Sequence, residues 1–113
     1  MGVVAAAGPR QGDVFLVDLD PTRGREIRKT RPCLVVSPDG LHAHGRPVII
    51  APLTGSTTVW GFRVPCRFQG KVGSVALDQL RTADQQRLIR PLGRLSPAVQ
   101  RRVLEVLQEM FAP

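Results

Sequence analysis

Phe15, Val17 and Leu19 share one phase of a two-residue period and Asp18 and Asp20 the other, so residues 12–20 are predicted as a strand. Asp20-Pro21-Thr22 ends it. Cys33-Leu34-Val35-Val36 is a short continuous apolar run, the pattern of a strand covered on both faces. Pro32 has no N–H to give to a ladder, so it marks that strand's first residue or an exposed edge. It also pushes Arg31 into extended backbone, which holds the side chain stiffly at the strand's mouth. Pro38-Asp39-Gly40 is a turn signal, and residues 47–53 form a third strand around Val48, Ile49 and Ile50. After the polar loop 54–58, Trp60, Phe62, Val64 and Cys66 alternate with Gly61, Arg63, Pro65 and Arg67, predicting a half-exposed strand with its cations outward. Gln69-Gly70-Lys71 is a turn, and residues 73–80 a further strand with Val75 and Leu77 inward. Thr82 and Gln85 stand at capping-box spacing, which predicts a short helix or 3₁₀ turn over 83–87. Residues 88–95, broken by Pro91 and Gly93, read as a last irregular strand. Ser96-Pro97 is a helix start, followed by Val99, Val103, Val106, Leu107 and Met110 at helical spacing. The expected architecture is mainly β: about six short strands curled into a small barrel, with one C-terminal helix.

At 113 residues the chain is sized for one domain. Residues 1–11 are expected to be a disordered or frayed tail before a single domain over 12–113. No apolar run approaches the roughly 18–20 residues that span a bilayer, and the N-terminus lacks the charged lead of a signal peptide. Cys33 and Cys66 lie in apolar, strand-like surroundings, as two buried thiols of a cytoplasmic protein or as a disulfide. With His42 and His44 in a loop and no ligand spacing, no metal site or cofactor is expected. The two histidines read as surface residues. The formal charge is +7, and both halves are basic, so an acidic partner is expected, nucleic acid first.

Charge is densest at residues 23–31, where Arg23, Arg25, Arg28, Lys29 and Arg31 surround a single carboxylate, Glu26. The loop is either a solvated basic surface or one wall of an RNA site. If the strands around 33–37 and 47–53 are antiparallel neighbours, Arg31 at the start of one meets Thr54 at the end of the other. A guanidinium offers a planar fork of donors to phosphate but is a poor general base. Arg31 is therefore assigned to stabilising a pentavalent phosphate, and the Thr54 hydroxyl to a non-bridging oxygen. Glu26 is available either as general base or as a structural ion-pair partner.

Together these residues resemble a known family. Gly12-Asp13-Val14, the run from Asp18 to Glu26, the run from Lys29 to Pro38, Ala51-Pro52-Leu53-Thr54 and Val75-Ala76-Leu77-Asp78-Gln79-Leu80-Arg81-Thr82 look, in order, like the MazF/PemK-type toxins of type II toxin–antitoxin modules. The resemblance implies a homodimeric SH3-like barrel of MazF/CcdB type that cleaves single-stranded RNA at short sequences. It implies metal-independent cleavage of mRNA to 2′,3′-cyclic phosphate and 5′-hydroxyl ends, and neutralisation by a cognate acidic, MazE-like antitoxin. Arg31 and Thr54 fall on the family's catalytic Arg and Thr, and Glu26 on its loop Glu. Gln79 and Arg81 fall near its substrate groove, beside the RNA-binding cations Arg23, Arg25, Arg28 and Lys29. The sequence departs from the pattern at Ile27, where Gln is common, and in the short loop 55–61.

Two other classes compete. A non-enzymatic toxin of the same fold would inhibit DNA gyrase by protein–protein binding, without needing Arg31 or Thr54. Its inhibitory residues would lie in the C-terminal helix, which here ends Glu109-Met110-Phe111-Ala112-Pro113 without the expected terminal pattern. A plain RNA-binding barrel would need stacking aromatics, and only Phe15, Trp60, Phe62, Phe68 and Phe111 are available.

Overall fold

The computed structural model describes residues 8–57 and 61–113. Seven strands and one helix follow one another: β1 (Asp13–Asp18), β2 (Thr30–Val35), β3 (Val48–Thr54), β4 (Arg63–Phe68), β5 (Lys71–Ala76), β6 (Arg81–Ala83), β7 (Leu88–Arg94) and α1 (Pro97–Met110). The pairing path is β4-β5-β3-β2-β1-β7, with β6 added to β3 and every pairing antiparallel. The expected barrel does not close. β4 and β7 are the free ends of an open sheet, and Gln69, in the turn after β4, reaches across to β7, its Nε2 donating to the backbone Leu92 O at 3.2 Å.

β3 is the strand that positions the rest. One edge pairs with β2 (Cys33 opposite Pro52, Val35 opposite Ile50), and the other pairs first with β6 and then with β5. Its two faces feed two cores. Ala51 and Leu53 join Val14, Leu34, Val64, Val75 and Leu77 beneath α1, whereas Val48 and Ile50 join Val17, Leu19, Cys33 and Val35 on the opposite side. Apolar residues on both faces explain why β2 and β3 are continuous apolar runs. β1 keeps its period of two: Phe15, Val17 and Leu19 face one core and Val14 the other. The register shifts at Val14/Phe15 and Leu16/Val17 fall in its pairing with β7.

α1 begins where the sequence places it. Ser96 Oγ accepts from Val99 N at 3.3 Å, and Pro97 occupies the first turn. Val103 and Val106 are buried against the sheet. Gly12 accommodates this packing, since its φ is +96° and a Cβ there would stand 2.3 Å from Gln100 Oε1.

Four local expectations are corrected. The strand predicted over 73–80 ends at Ala76, and Leu77–Gln79 is a 3₁₀ turn. Thr82 does not cap a helix: it lies in β6 opposite Ile49, and the 3₁₀ turn Gln85–Arg87 is capped by Asp84, whose Oδ1 accepts from Gln86 N at 3.0 Å. Arg63 does not point outward but is paired with Asp78. His42 is buried, its Nε2 2.5 Å from Ser37 Oγ and its Nδ1 2.9 Å from Pro9 O, while His44 is exposed. Of residues 1–11, the first seven lie outside the described residues, as does Trp60. Pro9 holds His42, and Gln11 N donates to Asp39 Oδ1 at 2.7 Å. Both cysteines are free thiols. Burial pushes Cys33 up to about 12 and raises Cys66 as well, which leaves both weakly nucleophilic.

Candidate nucleic-acid interface

The β2–β3 register, carried two residues past Cys33 and Pro52, puts Arg31 opposite Thr54. Both side chains line one groove of about 280 Å³, with Leu53, Cys66, Phe68, Lys71 and Val72. Arg31 is half-buried, and its Nε donates to Arg28 O at 3.4 Å, which ties it to the basic loop. Thr54 Oγ1 accepts from Ser56 N at 2.8 Å, so the hydroxyl proton stays free to donate. The loop after it is fastened by Ser74 Oγ, which donates to Ser56 O at 3.2 Å. Gly73 allows β5 to come this close, because a Cβ there would lie 2.0 Å from Thr54 O.

Glu26 belongs to a second groove of about 200 Å³, with Gln79 and Arg81. Pro52, buried beside Leu53 on β3, belongs to this second groove, so the two hollows flank one end of that strand. Glu26 Oε1 accepts from Arg23 N at 2.5 Å and closes a turn of the basic loop. Gln79 Oε1 accepts from Ile27 N at 3.3 Å, and Arg81 Nη1 donates to Leu19 O at 2.8 Å. Ile27 itself packs on the core around Val17 and Leu19. Arg23, Arg25, Arg28 and Lys29 are all exposed along the rim. The structure thus joins Arg31 to Thr54 and sets Glu26, Gln79 and Arg81 apart from them.

The sequence reading missed three contributors. Arg63 Nε lies 2.5 Å from Asp78 Oδ1 and Nη2 3.0 Å from Oδ2, a bidentate bond that anchors the turn carrying Gln79. Its hydrogen bonds hold the Asp78 carboxyl below the usual carboxylate range, against the upward push of burial. Arg63 carried a signal, a cation in a strand whose partner fifteen residues on is acidic. Lys71 and Phe68 line the first groove but look like ordinary turn and core residues in the sequence. Among the described residues no three His, Cys, Asp or Glu side chains converge.

A family model described as PemK-like, MazF-like toxin of type II toxin–antitoxin system matches residues 10–111. The chain belongs to this family. It is 37% identical over 106 residues to Endoribonuclease MazF9 of Mycobacterium tuberculosis, with 79% of this chain and 84% of that protein covered. The fold of MazF from Deinococcus radiodurans superposes with a TM-score of 0.79 at 24% identity, covering 91% of this chain and 96% of that one. A mycobacterial endoribonuclease in complex with its cognate antitoxin superposes at 0.78, with 23% identity and 94% and 98% coverage. No helix among the described residues of this MazF-like chain is long and apolar enough to cross a membrane.

Proposed function

We propose that this MazF-like protein, a single toxin domain over residues 12–113, is a cytoplasmic, sequence-specific endoribonuclease that cuts single-stranded RNA without a metal. It acts as a homodimer and is neutralised by an acidic cognate antitoxin. The observation that carries the reading is the meeting of Arg31 and Thr54 in one groove at the end of β3, beside an exposed cationic loop. Endoribonuclease activity in a relative at 37% identity supports it.

In this reading the 2′-oxygen attacks the adjacent phosphorus. Its proton passes to water, the bond from phosphorus to the 5′-oxygen breaks, and that oxygen takes a proton from water. The products are a 2′,3′-cyclic phosphate and a 5′-hydroxyl. The Arg31 fork faces the charge that builds on the phosphoryl oxygens, and Thr54 donates to one non-bridging oxygen. Arg31 does not take the 2′ proton, because a guanidinium stays protonated. Glu26 has one oxygen committed to the Arg23 amide and sits in the neighbouring groove. Its part here is to shape the loop that presents Arg25 and Arg28, and water accepts the proton. Gln79 and Arg81 carry the strand through the second groove.

The test is to mix the purified protein with a long RNA in excess chelator and map the ends. Cyclic phosphate and 5′-hydroxyl ends at a recurring short sequence are expected, and Arg31→Ala should leave the RNA intact while staying folded by circular dichroism. Uncut RNA, ends bearing a 5′-phosphate, or full activity in Arg31→Ala would each defeat the proposal.

A further inference from the structure

Thr54 is the last residue of β3, so its hydroxyl takes its direction from the loop that follows. Ser56 N donates to Thr54 Oγ1 at 2.8 Å, and that bond is only as well placed as residue 56, which is exposed. The loop is gripped in turn from the core. Ser74, opposite Thr54 on β5, donates from Oγ to Ser56 O at 3.2 Å. Gly73 sets the close approach of β5 that brings this hydroxyl within reach, since a Cβ there would meet Thr54 O. Ser74 is 3% exposed, and the three residues after it, Val75, Ala76 and Leu77, are fully buried and apolar. Packing does not require a hydroxyl in such a run. Its partner is the carbonyl of an exposed residue, which water can satisfy, and an apolar side chain would complete the strand at little cost.

Resting on the endoribonuclease reading above, we propose that Ser74 is a positioning residue for RNA cleavage, acting through Ser56 on the Thr54 hydroxyl. It touches no substrate. The relay has a fixed polarity: the Ser74 hydroxyl donates to the Ser56 carbonyl, and the Ser56 amide donates to Thr54 Oγ1. With that lone pair engaged, the one hydroxyl proton of Thr54 is left for a phosphate in the groove that Arg31 also lines. Remove the Ser74 hydroxyl and the loop loses this tie to the core. Ser56 N then leaves its line, and the Thr54 side chain spreads over its other staggered rotamers. A donor out of place forfeits transition-state stabilisation, while the exposed cationic loop still holds the RNA. The loss therefore falls on kcat and spares KM.

The test pairs a conformational readout with kinetics on the full chain. NMR three-bond couplings from the Thr54 methyl carbon to its own backbone nitrogen and carbonyl carbon report the side-chain rotamer without any RNA. The unaltered protein should give the values of a single rotamer. Ser74→Ala should give averaged values, as should Ser74→Cys, which keeps the shape and burial but has a far weaker donor. In steady-state cleavage of a short RNA, both variants should lose about tenfold in kcat with KM within about twofold of the unaltered protein. In a Thr54→Ala background, Ser74→Ala should cost nothing further, because its whole effect passes through that hydroxyl. Unchanged couplings, a loss confined to KM, or the full loss repeated on top of Thr54→Ala would each overturn the relay. Unchanged couplings with intact RNA cleavage remove the relay alone, and uncut RNA in the unaltered protein removes the endoribonuclease reading whatever the couplings show.

Discussion

Thr54 is half-buried at the end of β3 with its hydroxyl lone pair already engaged by Ser56 N, so what it offers a phosphate is its proton. Thr54→Ala should slow single-turnover RNA cleavage by about 10²–10³, the usual loss for one preorganised donor, whereas Thr54→Ser should retain most of the rate. A loss below about threefold in the Ala variant would reduce Thr54 to packing. Asp78 makes a different kind of prediction. Arg63 lowers its carboxyl in the folded protein, so the stabilisation from this pair is complete above the unfolded value of about 3.9 and disappears as pH falls through the lower folded value. Thermal melts of the protein and of Asp78→Asn should therefore differ most near neutrality and converge in acid; a constant gap would exclude ionisation of Asp78 as its source. Arg31 and Thr54 were legible in the sequence because a proline fixed one and strand polarity brought in the other. His42 was not, since its partners are a serine hydroxyl and the Pro9 carbonyl, 33 residues away, and a backbone acceptor leaves no mark on composition.

Elements were legible where local chemistry and burial agree. α1 carries its own start, and its buried positions are those of the helical period. Ser96→Ala should cost about 1 kcal/mol in urea unfolding with an unchanged m-value. No change in midpoint would show that the cap contributes nothing. The segment from Leu77 to Arg87 was misread because two patterns compete there. Thr82 and Gln85 have helix-start spacing, yet the open edge of β3 recruits 81–83 as β6, and pairing wins over a cap worth about 1 kcal/mol. The N-cap then passes to Asp84, the next residue able to accept. Gly73 looked like an unremarkable strand glycine. The contact that requires it, with Thr54 O, is between strands and so invisible in the sequence.

At the scale of the molecule, a mainly β chain of short strands with a terminal helix was inferable, but the seventh strand, β6, was missed, and closure was not legible, since it depends on tilt and stagger that no hydrophobic period encodes. Net charge was directly readable, and the structure adds where it sits. Arg23, Arg25, Arg28 and Lys29 are all exposed on one loop beside the Arg31–Thr54 groove. If that loop lies along the RNA, binding releases counterions, and log affinity falls linearly with log salt by roughly 0.7 per phosphate contacted on a single strand. Arg25→Ala removes one exposed cation from a loop whose shape is set elsewhere, by Glu26 on Arg23 N and Gln79 on Ile27 N. Its salt slope should be shallower than that of the unaltered protein by roughly 0.7, with the cleaved sequence unchanged. Anisotropy titrations across a salt series, using a 2′-deoxy oligonucleotide that cannot be cut, give both slopes. Identical slopes would place Arg25 off the RNA, and a flat response in the unaltered protein would take the whole loop off it, leaving the +7 charge to some other partner.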